Sequence, residues 1–240
     1  MAEINRRSAV TAVAGAGAAI GLGAAKASAA PAGPAGRRPL RVHIVAFDGV
    51  EEFDVFGPLG VFSAAQGLGH PITTQLVTGD RPGRITAGSG TEVTVPGAWD
   101  PRSADVIVVP GGGFPQMEGS GIWSEIKKGV LTAALRRAAR PSLTFYGVCT
   151  GVVVLHAAGL IGTRPCTTHA GAKKYLRDRG ADVRDVRVVD DGTLVCAGGV
   201  SSGIDGALWL VERELGSKAA AQVERLLEFE RRGTVLRAED

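Results

Sequence analysis

The chain has 240 residues, of which 45% are hydrophobic and 21% charged, which is enough apolar material for a sizeable core, and no internal linker divides it. Its formal charge is +3, but residues 1–29 contribute Arg6, Arg7, Lys26 and Glu3, so the remainder carries only +1. So even a balance excludes a strongly basic nucleic-acid binder.

The N-terminal stretch stands apart. Asn5-Arg6-Arg7-Ser8 is a twin-arginine start, an Ala/Gly-rich and weakly apolar segment follows, and Ala27-Ser28-Ala29 fits a small-residue cleavage site. The segment is too rich in glycine to read as a stable membrane span. Residues 1–29 are therefore expected to be a twin-arginine-type export signal, placing the mature protein outside the cell or in the cell envelope. Residues 30–39 read as a flexible spacer, 40–230 as one folded domain and 231–240 as a charged tail.

Within the domain, strands and helices alternate. Residues 40–47 predict a short apolar strand broken at Asp48-Gly49, and Pro58 suits the first turn of a helix running to about Gln66. Residues 72–78 predict a second strand, and 84–96 a small β excursion without helical spacing. Asp105 to Val109 reads as a buried parallel strand ending in Pro110-Gly111-Gly112-Gly113. Ile122, Ile126, Val130, Leu131, Leu135 and Ala138 recur at helical spacing and predict one helix over 122–138. A strand at 142–147 and an apolar helix at 152–158 flank Gly147-Val-Cys149-Thr-Gly151. A strand at 165–168, a helix at 170–179, β segments at 183–189 and 194–197, and helices at 202–215 and 217–228 complete the chain. Repeated βα units specify a mainly parallel sheet covered on both faces, with chemistry beyond the carboxyl ends of its strands. Asp48–Asp54, Gly111–Gly113, Cys149–Thr150 and Gly198–Ser202 all fall at such ends.

Gly147-Val-Cys149-Thr-Gly151 is the thiol counterpart of the G-x-S-x-G elbow, a strained strand-to-helix turn that pushes a nucleophile outward. Set against it is a small thiol packed inertly beneath a helix. The helix start and Thr150 are expected to hold the Cys149 thiol below the roughly 8.5 of a free thiol, with an ionised Asp54 pushing it back up, so that the two titrate as a coupled pair. Asp54, between Phe53 and Val55, reads either as a first-turn acid or as a proton carrier to the thiol, while Glu51 and Glu52 are expected to face solvent. Gly111–Gly113 are either a tight turn or a place where backbone N–H groups approach a developing negative charge. His169, ending Thr167-Thr168-His169, is a candidate site-lining residue; His156, His43 and His70 have no partner that the sequence names. No metal-ligand spacing is present, and no cofactor is expected. Of the three cysteines, Cys166 and Cys196 read as separate buried thiols, although neighbouring strands would allow them to pair.

Val50 to Pro58, Val108 to Gly112, Gly147 to Gly151, Thr167 to His169 and Gly198 to Asp205, taken in order, resemble the ThiJ/PfpI superfamily, and within it the branch containing isonitrile hydratases and the sensor domains of AraC-type regulators. The resemblance spans residues 40 to about 230. It implies a flavodoxin-like α/β three-layer sandwich, a homodimer, and a cysteine at the elbow. It places Cys149 on the nucleophile, Thr150 on the neighbouring threonine, Asp54 on the acid that contacts the thiol, and Gly112 on a backbone donor; His169 and Ser201 are further candidates for oxyanion or substrate binding. Proteases of the family carry His directly after the cysteine; Thr150 stands there in this chain, against a Cys-His dyad.

The implied activity is hydration of a small-molecule isonitrile to an N-substituted formamide. Two alternatives stay open: another cysteine-dependent activity of the scaffold, glyoxalase- or amidase-like, and a non-catalytic redox sensor or binding protein. For the N-terminus, intact-mass analysis of secreted protein should give a chain starting near Ala30, and replacing Arg6 and Arg7 by Lys should abolish export. A mature protein that retains Met1 would overturn that expectation.

Overall fold

The computed structural model describes residues 38–79 and 81–238, so the expected signal and almost all of the expected spacer lie outside the described residues. A seven-stranded sheet organises the chain, in the order β11-β9-β10-β6-β5-β1-β2. Five consecutive strands run parallel, from β10 to the edge strand β2: β1 (Leu40–Val45), β2 (Ile72–Val77), β5 (Val106–Val109), β6 (Thr144–Val148) and β10 (Leu194–Ala197). β9 (Val188–Asp191) is antiparallel to β10, and β11 (Val235–Arg237) pairs parallel to β9. Every side chain of β5 and of β10 is buried, as expected of strands with both faces covered.

The helices divide into two layers. α1 (Glu52–Gly67), α6 (Ser202–Leu215) and α7 (Ser217–Leu227) pack together on one face. On the other lie α2 (Ile122–Lys128), α3 (Val130–Ala138), α4 (Gly151–Ala157) and α5 (Ala170–Arg177). The expected three-layer α/β sandwich with a mainly parallel central sheet is therefore present. Two small ribbons stand apart from the main sheet: the hairpin β3 (Gly83–Thr86) with β4 (Glu92–Val95), which is the expected β excursion, and β7 (Pro165–Cys166) with β8 (Asp182–Val183). Among the described residues no helix is long and apolar enough to cross a membrane.

Five local expectations are corrected. α1 starts at Glu52, six residues before Pro58, so the proline lies in the helix interior and Asp54 lies within the first turn instead of ahead of it. Pro58 lacks the N–H that would close onto the Asp54 carbonyl. The single helix over 122–138 is broken at Gly129, whose φ of 73° ends α2 and starts α3. The strand at 165–168 shortens to two residues outside the main sheet, and the β segment at 183–189 divides into β8 and the first half of β9. The expected charged tail is in part structural. Arg231 pairs with Glu212 and with Glu224 (2.5 Å), the Arg232 N–H donates to Asp205 Oδ1 (2.9 Å), and Val235–Arg237 add the edge strand β11.

Truncation after Phe229 removes those ion pairs and one strand's hydrogen bonds. It should lower the melting temperature by about 5–10 °C, on the scale of roughly 2–4 °C per kcal/mol for a domain of this size. A truncated chain that melts with the full chain by calorimetry would show that the tail contributes nothing.

Candidate active site at the cysteine elbow

The site forms where β1, β5, β6 and β10 end and the chain turns toward helices on either face. β6 ends at Val148, α4 begins at Gly151, and Cys149 between them has φ 55°, a left-handed value that costs a non-glycine residue about 1–3 kcal/mol. The strain is held from two sides. Cys149 N–H donates to Ala197 O (3.1 Å) and Gly198 O (3.0 Å), and Cys149 O accepts from the Thr168 hydroxyl (2.7 Å). The elbow needs glycine after it as well, because a Cβ on Gly151 would land on the carbonyl oxygen of Val109.

The thiol is buried and meets the carboxyl of Asp54, which is wholly buried in the first turn of α1. Gly111 N–H donates to Asp54 Oδ2 (2.9 Å), whereas Oδ1 has no aligned hydrogen bond. Burial raises the Asp54 carboxyl from 3.8 to about 7, against the opposing pull of the Gly111 and Cys149 hydrogen bonds. The same burial, followed by the Asp54 charge, raises the thiol from 9.0 to about 12, while the Val200 and Thr150 N–H groups donate to the sulfur and pull the other way. The expectation of a thiol below its ordinary range is thus corrected: two amide donors do not outweigh dehydration beside a carboxyl. The pair instead passes near pH 7 from two protons to one, and the proton that remains sits on the thiol.

The remaining candidates separate into those the fold brings to the thiol and those it does not. Thr150 is buried next to Cys149, and its Oγ1 accepts from Gly112 N–H (3.1 Å). Gly112 therefore lies in the site, but its N–H is engaged by Thr150. His169 caps α5: its Nδ1 accepts from Gly171 N–H (3.1 Å), and its ring lies against Gly199, where a Cβ would come within 2.6 Å of Cδ2. It backs the turn after β10. Ser201 is exposed, and its hydroxyl accepts a long bond from Arg187 Nη2 (3.4 Å). Glu52, expected in solvent, is tied to the hairpin by Ser89 N–H (2.9 Å) and the Ser89 hydroxyl.

Two participants carry too little signal in the sequence to be named, whereas Gly111 belongs to the glycine run read as a place for backbone N–H groups, and its N–H meets Asp54. Thr168 carried a signal, a threonine beside the histidine at a strand end, but not its target. Val200, at φ 33°, carried none, because nothing in a valine announces that its N–H will face a thiol. All three cysteines are buried and free. Among the described residues no three His, Cys, Asp or Glu side chains form a group that could hold a metal. A hollow of about 340 Å³ lined by Arg38, Leu40, Asp105, Ser142 and Thr144 lies at the opposite, amino-terminal ends of β1, β5 and β6, away from the thiol.

Doubly wound sheet and strained thiol turn define a protein of the cysteine-elbow α/β class. The chain belongs to the DJ-1/PfpI family, whose model matches residues 40–213. It is 30% identical over 192 residues to the isonitrile hydratase of Pseudomonas putida, an alignment covering 79% of this chain and 78% of that protein. A ThiJ/PfpI family protein from Pseudomonas syringae superposes with a TM-score of 0.70 at 22% identity, over 81% of this chain and 77% of that one. Schizosaccharomyces pombe DJ-1 does so with a TM-score of 0.67 at 18% identity, over 80% of this chain and all of that one (100%). Likenesses at these identities speak for the fold.

The raised Asp54 value has a stability consequence. A carboxyl that binds its proton more tightly folded than unfolded makes the native state hold more protons between about pH 4 and pH 7, so stability falls as pH rises through that window. A shift from 3.8 to about 7 corresponds to roughly 4 kcal/mol at most. Urea unfolding of the wild type should give lower stability at pH 8 than at pH 5, and Asp54→Asn should flatten that slope. A variant with the wild-type slope would show that Asp54 is not the group responsible.

Proposed function

We propose that this protein hydrates an isonitrile to an N-substituted formamide, with Cys149 as nucleophile and Asp54 as proton carrier. The observation that carries the reading is the buried Cys149–Asp54 pair, whose carboxyl titrates near neutrality against a thiol that keeps its proton. The 30% identity to an isonitrile hydratase over most of both chains supports it. So does Thr150 directly after the cysteine, which leaves no adjacent histidine for a protease-type dyad.

The chemistry balances on these two groups. Asp54 takes the thiol proton as sulfur attacks the terminal isonitrile carbon, which is electrophilic toward soft nucleophiles. The carboxyl then returns that proton to the same carbon, giving a thioimidate. Water adds to the thioimidate carbon, and one of its protons passes to nitrogen. The carbon–sulfur bond breaks to leave the formamide, and the second water proton restores the thiol. The carboxyl near pH 7 suits both halves, since one group must accept and donate within a turnover. Val200 and Thr150 N–H groups steady the sulfur's charge, and the Thr150 hydroxyl, already accepting from Gly112, has its own proton to offer the intermediate. No step calls for a cofactor.

The proposal extends to assembly and location. Phe53 and Phe56 are about half exposed on α1 and, with Ile204, Leu227 and Phe229, line an apolar hollow of about 280 Å³ suited to a second copy in a homodimer. Export rests on Arg6-Arg7 and the small-residue site that follows.

Infrared loss of the isonitrile stretch, with appearance of formamide by mass spectrometry, should be seen with wild type and abolished in Cys149→Ala. Asp54→Asn should still be alkylated at Cys149 but turn over at least about 100-fold more slowly, the size of a lost general acid–base. Hydration by Asp54→Asn at the wild-type rate would remove the carboxyl from the mechanism, and inactivity of wild type toward alkyl and aryl isonitriles alike would remove the reaction.

A further inference from the structure

We propose that Arg187 is a positioning residue for the nucleophile: locked onto Asp205, it fixes the Gly198–Ser201 turn that holds Cys149 from behind. The inference rests on the reading of Cys149 as the reactive group, and it assigns a task to a side chain that never touches the sulfur.

Arg187 lies just before β9 and grips the turn at three points. Its carbonyl accepts from Gly198 N–H (2.8 Å). Its Nη2 reaches the Ser201 hydroxyl (3.4 Å). Its Nε (3.0 Å) and Nη2 both donate to Asp205 Oδ2, on the first turn of α6. Asp205 is 3% exposed, and its other oxygen accepts the Arg232 N–H (2.9 Å), so neither oxygen is left over. The aliphatic stem runs past Gly233, where a Cβ would lie 3.6 Å from Arg187 Cδ. Residues 198, 201 and 205 are thus tied to one side chain and its own carbonyl, while the C-terminal segment packs over it.

What lies between those ties is the part of the site that most needs holding. Gly198 O accepts the Cys149 N–H (3.0 Å), and Val200 directs its N–H at the sulfur. Val200 does so at φ 33°, a backbone value a β-branched residue adopts only when its surroundings over-determine it. The turn is tied forward to α6 by Ser202, Gly203 and Ile204 N–H, which donate to the Gly199, Val200 and Ser201 carbonyls (3.0, 3.0 and 3.1 Å), and the His169 ring backs Gly199. The guanidinium adds the tie between that helix start and Gly198, which Arg187 holds through its own carbonyl. This also gives Ser201 a place in the site that is indirect.

The test uses the full chain and reads the thiol independently of any substrate. Arg187→Lys keeps a cation beside the buried Asp205 carboxylate but loses the fork. Arg187→Gln combined with Asp205→Asn is the second variant: it is neutral and strands no buried charge, so it reports even where the first does not fold. In each folded variant, amide exchange in the peptide spanning 196–206 should accelerate. The rate of Cys149 alkylation by iodoacetamide at pH 8 should change by about threefold or more, and kcat for isonitrile hydration should fall about tenfold or more with KM nearly unchanged. Arg187→Lys should lie between the wild type and the double variant. Variants that melt lower yet exchange, alkylate and turn over as wild type would reduce Arg187 to a structural ion pair and overturn the inference. If wild type hydrates no isonitrile while alkylation and exchange still respond to Arg187, the proposed reaction fails and the positioning role stands.

Discussion

The constraint on which the site depends is the placing of one carboxyl and one thiol together where water cannot reach either. Asp54 is fully buried and has a single aligned hydrogen bond, from Gly111 N–H, which is too little to make an interior carboxylate comfortable. The thiolate is less comfortable still beside it, so one negative charge is the most the pair sustains near neutrality. Nucleophilicity is then conditional. In the proposed reaction sulfur gains its electron pair only as its proton moves to Asp54, and the carboxyl so loaded is the acid that protonates what the sulfur has attacked. An elbow thiol at the start of a long helix would be expected to ionise by itself. α4 has only seven residues, all apolar but His156, and the desolvation it brings exceeds the help of its first N–H groups.

Bringing the strand ends close enough for this pair requires backbones to cross where side chains cannot fit. Gly112 (φ 142°) passes so near the loop after β1 that a Cβ would strike Gly49 O, and the same approach lets Gly111 present its N–H to Asp54. The glycine run after β5 therefore serves proximity first, and only one of its amides is left to a threonine hydroxyl. A hole for negative charge assembled from Gly112 alone would need that hydroxyl to release it. The proposed mechanism therefore gives the charge-steadying role to Thr150 and Val200, whose N–H groups lie toward the sulfur.

The fold was legible because its signals are local and repeated: buried apolar strands, glycines at their ends, amphipathic helices between them. Errors arose where a tertiary contact overrides local chemistry. Pro58 marks a helix start by propensity, yet α1 begins earlier because Asp54 and Val55 are drawn into the core. Gly129 lies within an unbroken 3.6-residue pattern, so the break between α2 and α3 is invisible to periodicity. β11 escaped because three residues amid charged neighbours form a strand only when β9 offers its edge. In the site, Cys149, Asp54 and Thr150 carried chemistry in their side chains and could be named. Val200, Gly111 and Gly198 act through backbone atoms that every residue owns, and their identity says nothing of their use.

Two non-glycine residues in left-handed conformations, Cys149 and Val200, face each other across the site, each at a cost of about 1–3 kcal/mol. Neither conformation is needed by the sheet. Both are needed if a sulfur at the end of β6 is to meet an amide from beyond β10 while a carboxyl approaches from α1. The strain is tolerable because β6 and β10 are adjacent, fully paired central strands, so Gly147 opposite Cys196 and Val148 opposite Ala197 set the two turns at fixed separation. Thr168 then closes the Cys149 side, and the Arg187–Asp205 pair closes the Val200 side. The rigid part of the molecule in this sense holds the pair together: a looser sheet would let both residues relax, and the thiol would turn away from the carboxyl it meets.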